Sequence, residues 1–199
     1  MQSDCNLIKE NLKAAAERIL GEVRKMPQGE GSQHLIAIDG RCASGKTTLA
    51  ACIQELSGCN VIHMDHFFLR PEQRTRERME EAGGNVDRER FLQEALLLLR
   101  QGEDVTYRRY DCHEQRFAEE ITLRHCPLTV IEGTYSCHPS LAGYYDCRVF
   151  MSVDREEQMR RILVRNGITG AEAFRERWIP LEERYFSVCR VEECCEIRI

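Results

Sequence analysis

The residue types that can do chemistry begin with one lysine, one threonine and two glycines. Gly40, Arg41, Cys42, Ala43, Ser44, Gly45, Lys46, Thr47 and Thr48 fit the spacing Gly-x-x-x-x-Gly-Lys-Thr. A short apolar run, Leu35 to Ile38, precedes them, and a helix-like segment, Leu49 to Leu56, follows. Strand, glycine-bounded loop and helix is the setting in which this spacing holds a phosphate chain. The loop N–H groups and the N-terminus of the helix converge on one spot, where they are unpaired and the helix dipole favours an anion. Lys46 adds a full positive charge near the outer phosphates, and the Thr47 hydroxyl can ligate Mg²⁺. Residues 40–48 are therefore expected to bind a phosphate chain.

Two carboxylates stand where a reacting group would lie. Asp65 directly follows a short strand-like run, Asn60 to Met64, and can take the proton of an attacking hydroxyl. Glu132 ends the apolar, β-branched run Leu128 to Ile131, and a carboxylate beside such a loop orients Mg²⁺ or its waters. Arg161 and Arg165 are four apart and share a helix face, with Arg155 and Arg160 nearby and Gly167 closing the segment. On a closing helix such arginines neutralise charge and exclude water; on a static one they are a solvated face. Tyr107 to Asp111 with His113 mixes aromatic, cationic and hydrogen-bonding groups, which suits a base or a sugar, or an edge strand. Cys42 lies beside Lys46 and a helix N-terminus, and both would lower its pKa.

The elements that must position these residues follow from periodicity. Ile8, Leu12, Ala15, Ile19 and Val23 mark one face of a helix over 4–26. Residues 70–85 are charged, end in Gly83-Gly84, and read as an exposed, mobile loop. Asp87 reads as the N-cap of a helix with Phe91, Leu92, Ala95, Leu96, Leu98 and Leu99 on its apolar side. Val105 to Asp111 reads as a short strand or extended segment, and a turn-rich region leads from it to Leu128. Cys147 to Val153 is a further strand, ending in Asp154. A helix follows, and residues 171–190 form another, which Pro180 should bend or break. Cys195 to Ile199 is a candidate terminal strand. Buried strands alternating with helices predict an α/β fold with a parallel sheet, whose ligands lie beyond the carboxyl ends of the strands. Asp65, Glu132 and Asp154 all sit at such ends.

Composition limits the partners. A chain of 199 residues suits one domain, and 42% hydrophobic with 31% charged residues is ordinary for a globular protein. A net charge of −5 argues against a general nucleic-acid binder. No apolar run approaches the ~18 residues of a membrane span. The eleven cysteines form no Cys-x-x-Cys pair, and Met-Gln-Ser-Asp-Cys-Asn at the start is not a signal-peptide pattern. Free thiols in a reducing cytoplasm are expected. A small-molecule acceptor, no membrane partner and a homo-oligomer are compatible with these features. The guanine-reading Asn-Lys-x-Asp motif of GTPases is absent from the sequence.

Taken in order, Gly40-x-x-x-x-Gly45-Lys46-Thr47, Asp65-His66-Phe67-Phe68, Asn85-Val86-Asp87-x-x-x-Phe91, Tyr110-Asp111, Ile131-Glu132-Gly133 and Arg160-Arg161…Arg165 resemble the uridine kinase / phosphoribulokinase family of P-loop kinases, from about His34 to Phe186. The resemblance implies a single three-layer domain over 1–199, nucleoside-monophosphate-kinase-like, with a five-stranded parallel sheet, helices on both faces and a helical lid at about 155–170. It implies an ATP- and Mg²⁺-dependent transfer to a small-molecule hydroxyl, with the 5′-hydroxyl of uridine or cytidine as the leading acceptor. Asp65 would be the base, Lys46, Arg161 and Arg165 would attend the transferred group, and Thr47 and Glu132 the metal. Asp87 would hold ribose hydroxyls, and Tyr110, with His113 more loosely, the base; Phe68 belongs to the same acceptor set. The departures fall on the acceptor side. His66, Phe67 and Phe68 stand where uridine kinases commonly carry a small or polar residue followed by Phe-Tyr, and His113 lies closer to the Tyr-Asp pair than their base-contacting histidine. The alternatives are a kinase of the same fold for pantothenate, a sugar or another nucleoside, and a regulatory protein that binds ATP without transfer.

Overall fold

The apolar run before the phosphate loop becomes the middle of the sheet. In the computed structural model, which describes residues 2–27 and 33–199 with side chains from Glu10 onward, β1 (His34–Gly40) is buried along its whole length. It runs between β5 (Leu128–Glu132) and β6 (Cys147–Met151), with β2 (Asn60–His63) and β7 (Ile197–Arg198) at the edges. The order β2-β5-β1-β6-β7 is parallel at every pairing. A sheet covered on both faces needs strands apolar on both sides, which is why β1 and β5 read as continuous runs rather than alternating ones.

Helices cover the two faces. On one, α1 (Gln2–Val23) and α2 (Lys46–Ser57) pack together, with Leu12, Ala16, Ile19, Leu20 and Val23 of α1 against Leu49, Ala50 and Ile53 of α2. Ile8 lies outside the described side chains. On the other face, Leu35, Ala37 and Ile131 of the sheet meet Phe67, Phe91, Leu96 and Tyr185. Residues 71–80 hold a 3₁₀ turn, Pro71–Gln73, and α3 (Arg76–Glu80). The expected loop thus holds two short elements, and Arg78 ties it down, donating to the carbonyls of Gly84 at 2.8 Å and Val86 at 2.7 Å and pairing with Glu89.

Residues 88–100 are helical throughout, as α4 (Arg88–Phe91), a π-type turn (Leu92–Leu96) and α5 (Leu97–Arg100). Asp87 caps α4 as its sequence position predicts, accepting from Arg90 N–H at 3.1 Å. β3 (Val105–Asp111) lies outside the main sheet. It pairs antiparallel with β4 (Arg116–Leu123), which the turn-rich reading missed. β4 is exposed or half-buried along its length and shows no clean alternation to betray it.

After α6 (Pro139–Ala142) and β6 comes α7 (Arg155–Ala173), capped by Asp154 and broken at Gly167 (φ 70°). A π-type turn (Phe174–Trp178) joins it to α8 (Ile179–Cys189), and α9 (Val191–Cys194) leads to β7. Pro180 lies just after the π-type turn in a helical backbone that runs on into α8, so the irregularity lies where a missing N–H would disturb the helix. The ten cysteines with described side chains are all free thiols. Among the described residues no helix is long and apolar enough to cross a membrane.

Candidate active site

The loop after β1 is shaped by two glycines. Gly40 (φ 134°) passes so close to β6 that a Cβ there would lie 2.0 Å from the Met151 carbonyl oxygen. Gly45 (φ 106°) turns the chain into α2. Both conformations are ones that L side chains rarely adopt. Lys46 is buried, and its Nζ donates to the carbonyls of Gly40 at 2.7 Å and Arg41 at 2.9 Å. Behind the loop, Asp39 is fully buried and accepts from the N–H groups of Gly40, Tyr135 and Cys137 and from the Tyr185 hydroxyl. Burial raises its pKa, while the N–H groups of Cys137 and Gly40, the Tyr185 hydroxyl and Lys46 oppose the shift.

A cavity of about 740 Å³ opens over this loop at the carboxyl ends of the strands. Cys42, Ala43, Gly45, Lys46, Thr47 and Thr48 line it from the loop, Asp65 and Phe68 from the segment after β2, and Glu132 from the end of β5. Arg161 and Arg165 of α7 and His113 of the hairpin turn complete the predicted residues on its wall. Five cationic side chains, Lys46, Arg74, Arg161, Arg165 and Arg177, face three carboxylates, Asp65, Glu132 and Glu182. The cavity is locally positive in a chain of net charge −5, as a polyphosphate requires.

Thr47 Oγ1 donates to Glu132 Oε1 at 3.1 Å, and His63 Nδ1 lies 2.5 Å from the same oxygen. That hydrogen bond raises the His63 pKa against the effect of burial. Neighbouring His66 is pushed down to about 4, by burial and then by His63. Asp65 is open to the cavity but walled by protein, and this enclosure raises its pKa. Glu132 adds to the shift, and Lys46, His63 and Arg165 oppose it. Arg161 donates to the carbonyls of Ala43 at 3.0 Å and Ser44 at 3.4 Å and to Glu157 at 2.7 Å. Arg165 rests on the Phe174 ring.

Several predicted residues lie elsewhere. Gly40 and Ser44 are buried behind the loop surface. Arg41 turns outward to Glu183 at 2.7 Å and Ser152 at 2.8 Å. Asp87 is 4% exposed, and its two oxygens serve Arg90 N–H and Gln73 Nε2. Tyr110 is buried edge-on against Phe117 and does not line the cavity. The Cys42 thiol is pushed up to about 12, not down: burial and Glu182 outweigh Lys46. Sequence reasoning missed Glu182, whose carboxylate reaches the loop from α8, and Gln158, which reaches it from α7. Glu182 lies four residues after Trp178 and three before Tyr185, so a charge on the apolar stripe of a helix was the available signal.

The sequence profile of the Phosphoribulokinase / Uridine kinase family matches residues 35–169. The chain belongs to that family. It is accordingly a P-loop kinase of small substrates, with the nucleotide-binding loop and three-layer sheet of that fold. A possible uridine kinase from Bacillus stearothermophilus superposes with a TM-score of 0.72 at 18% identity, over 95% of this chain and 99% of the other. A putative fructose transport system kinase from Silicibacter sp. TM1040 gives 0.71 at 22% identity, over 94% and 98%. A D-glycerate 3-kinase from Cryptococcus neoformans gives 0.61 at 14% identity, over 92% and 88%. At these identities the likeness is one of fold. No curated protein sequence matches the chain.

Proposed function

We propose that this kinase transfers the γ-phosphoryl group of ATP to a hydroxyl of a small acceptor, with Asp65 as general base. The observation that carries the reading is one cavity lined by Lys46, Thr47, Asp65, Glu132, Arg161 and Arg165. The acceptor hydroxyl gives its proton to the Asp65 carboxylate while its oxygen bonds to the γ-phosphorus. The bond from that phosphorus to the bridging oxygen breaks, and ADP leaves. Lys46 and the loop N–H groups hold the donor, and Arg161 and Arg165 neutralise the charge on the transferred group. Thr47 and Glu132, adjacent hard oxygen donors, fit Mg²⁺, which usually takes one or two protein ligands beside substrate phosphates. When bound it would neutralise phosphate charge. The helix with Arg161 and Arg165, up to its break at Gly167, is the lid in this reading.

The 5′-hydroxyl of uridine or cytidine is the acceptor that the ordered motifs suggest, and Phe68 and His113 on the cavity wall support it. A second reading, another small acceptor such as a sugar, pantothenate or glycerate, is favoured by Asp87 and Tyr110. The carboxylate of one is engaged within the protein, and the ring of the other is packed away from the cavity.

ADP release measured against a panel of these acceptors separates the readings. Phosphorylation of uridine or cytidine alone supports the first, and of a sugar or hydroxy acid alone the second. Tight ATP binding with no acceptor raising ADP release would leave a regulatory ATP-binding protein. With a turned-over acceptor in hand, Asp65→Asn is expected to lower kcat by about 10²–10⁴-fold while ATP affinity changes little. Near-normal turnover in that variant removes Asp65 from the base role.

A further inference from the structure

Side-chain donors hold the carbonyls of the phosphate loop from Gly40 to Ser44. The Gly40 carbonyl receives Lys46 Nζ and, at 3.0 Å, the Thr134 hydroxyl. The Arg41 carbonyl receives Lys46 Nζ and, within the turn, the Ser44 N–H at 3.1 Å, and those of Ala43 and Ser44 receive Arg161 Nη1. A trans peptide is planar, so fixing one C=O sends the N–H of the next residue the opposite way. Holding these carbonyls therefore aims the loop N–H groups.

Cys42 is held at both backbone poles. Gln158 Nε2 of α7 donates to its carbonyl at 3.1 Å, and its N–H donates to Glu182 Oε2 of α8 at 3.0 Å. Gln158 and Glu182 are 2% and 6% exposed, and so are placed where an unbonded polar group would be costly. Neither belongs to the loop, and neither is a proton carrier in the transfer described above. The charge on Glu182 is also out of place beside a triphosphate site, so the hydrogen bond is the feature that accounts for it.

We infer that Gln158 and Glu182 are positioning residues for the donor: by clamping the N–H and C=O of Cys42 they set the direction of the phosphate cradle. They also tie that cradle to α7 and α8, the helices that follow β6 in the chain. The inference rests on the ATP-binding role of the loop.

The test is calorimetric titration of the full chain with Mg·ADP, with thermal melting of each variant as the check on folding. Gln158→Met and Glu182→Met keep the buried volume and remove the bond. Each is expected to weaken Mg·ADP by roughly tenfold, the net worth of about one hydrogen bond. Glu182→Gln keeps an oxygen for the Cys42 N–H and is expected to recover the affinity lost in Glu182→Met. General loosening of the fold would not separate these two variants in this order. Met variants that bind as tightly as the parent, or a Gln variant as weak as Met, would overturn the inference. If a Met variant does not melt cooperatively, Gln158→Glu, which keeps the size but cannot donate when ionised, takes its place with the same expected loss; an unchanged affinity there is equally fatal. A parent protein that fails to bind Mg·ADP overturns the donor assignment itself, which a parent that binds leaves standing.

Discussion

At the scale of single residues, Asp65 and Asp39 show what the environment does to one side-chain type. Asp39 is buried behind the loop with four donors and orders the backbone on either side of it. Asp65 faces the cavity, where enclosure and Glu132 raise its pKa. A base works only when ionised, so the sign is definite. Activity falls as pH falls through the Asp65 pKa, and that acidic limb is expected above the ~3.9 of an unperturbed aspartate. The pH profile of kcat checks it; a limb at or below that value contradicts the assignment. Asp65 was legible because it directly follows a strand in an α/β pattern. The inward turn of Asp87 was half legible: its N-cap position could be read, but not the second bond from Gln73, fourteen residues back. The Cys42 shift was misread because the helix and Lys46 are visible in sequence, whereas burial and a carboxylate 140 residues away are not.

At the scale of elements, the central strands β1 and β5 were legible because burial on both faces leaves an unbroken apolar run. The hairpin partner β4 was not, since neither of its faces is deeply buried. Residues 70–85 read as a loop without elements of its own because charge alone says nothing about where it pairs. Here Arg78 is the fastener, with two backbone carbonyls and Glu89 on one guanidinium. Arg78→Ala is expected to free this segment, which brings Arg74, Met79 and Asn85 to the cavity wall. Limited proteolysis should then cut within residues 70–85 at least severalfold faster than in the parent, with the melting midpoint of the rest little changed. Equal cutting rates would mean that the helix and turn hold without it. Pro180 marks the irregularity correctly, at the join between the π-type turn and α8. The π-type turn precedes it and sets Phe174 and Trp178 on the cavity wall.

At the scale of the whole molecule, the cavity draws its walls from the phosphate loop, the end of β5, the hairpin turn and the α7–α8 pair, so a ligand that fills it would bridge parts that are far apart in the chain. Ligand that binds only the folded chain stabilises it by about 2.7 kcal/mol at a hundredfold excess over Kd. For a domain of this size that is a rise in melting midpoint of roughly 5–10 °C with Mg·ADP. Differential scanning calorimetry checks it, with Lys46→Met expected to abolish most of the shift; a full shift in that variant would remove Lys46 from the donor site. The sequence by itself determined the sheet, the phosphate loop and the carboxylate beyond the second strand, because local spacing and burial periodicity encode each of them within a few residues. Only the tertiary structure decided which residues share the cavity. Asp87 and Tyr110 turn away from it because their partners at Gln73, Arg90 and Phe117 draw them inward, and Gln158 and Glu182 reach the loop from more than a hundred residues further along the chain.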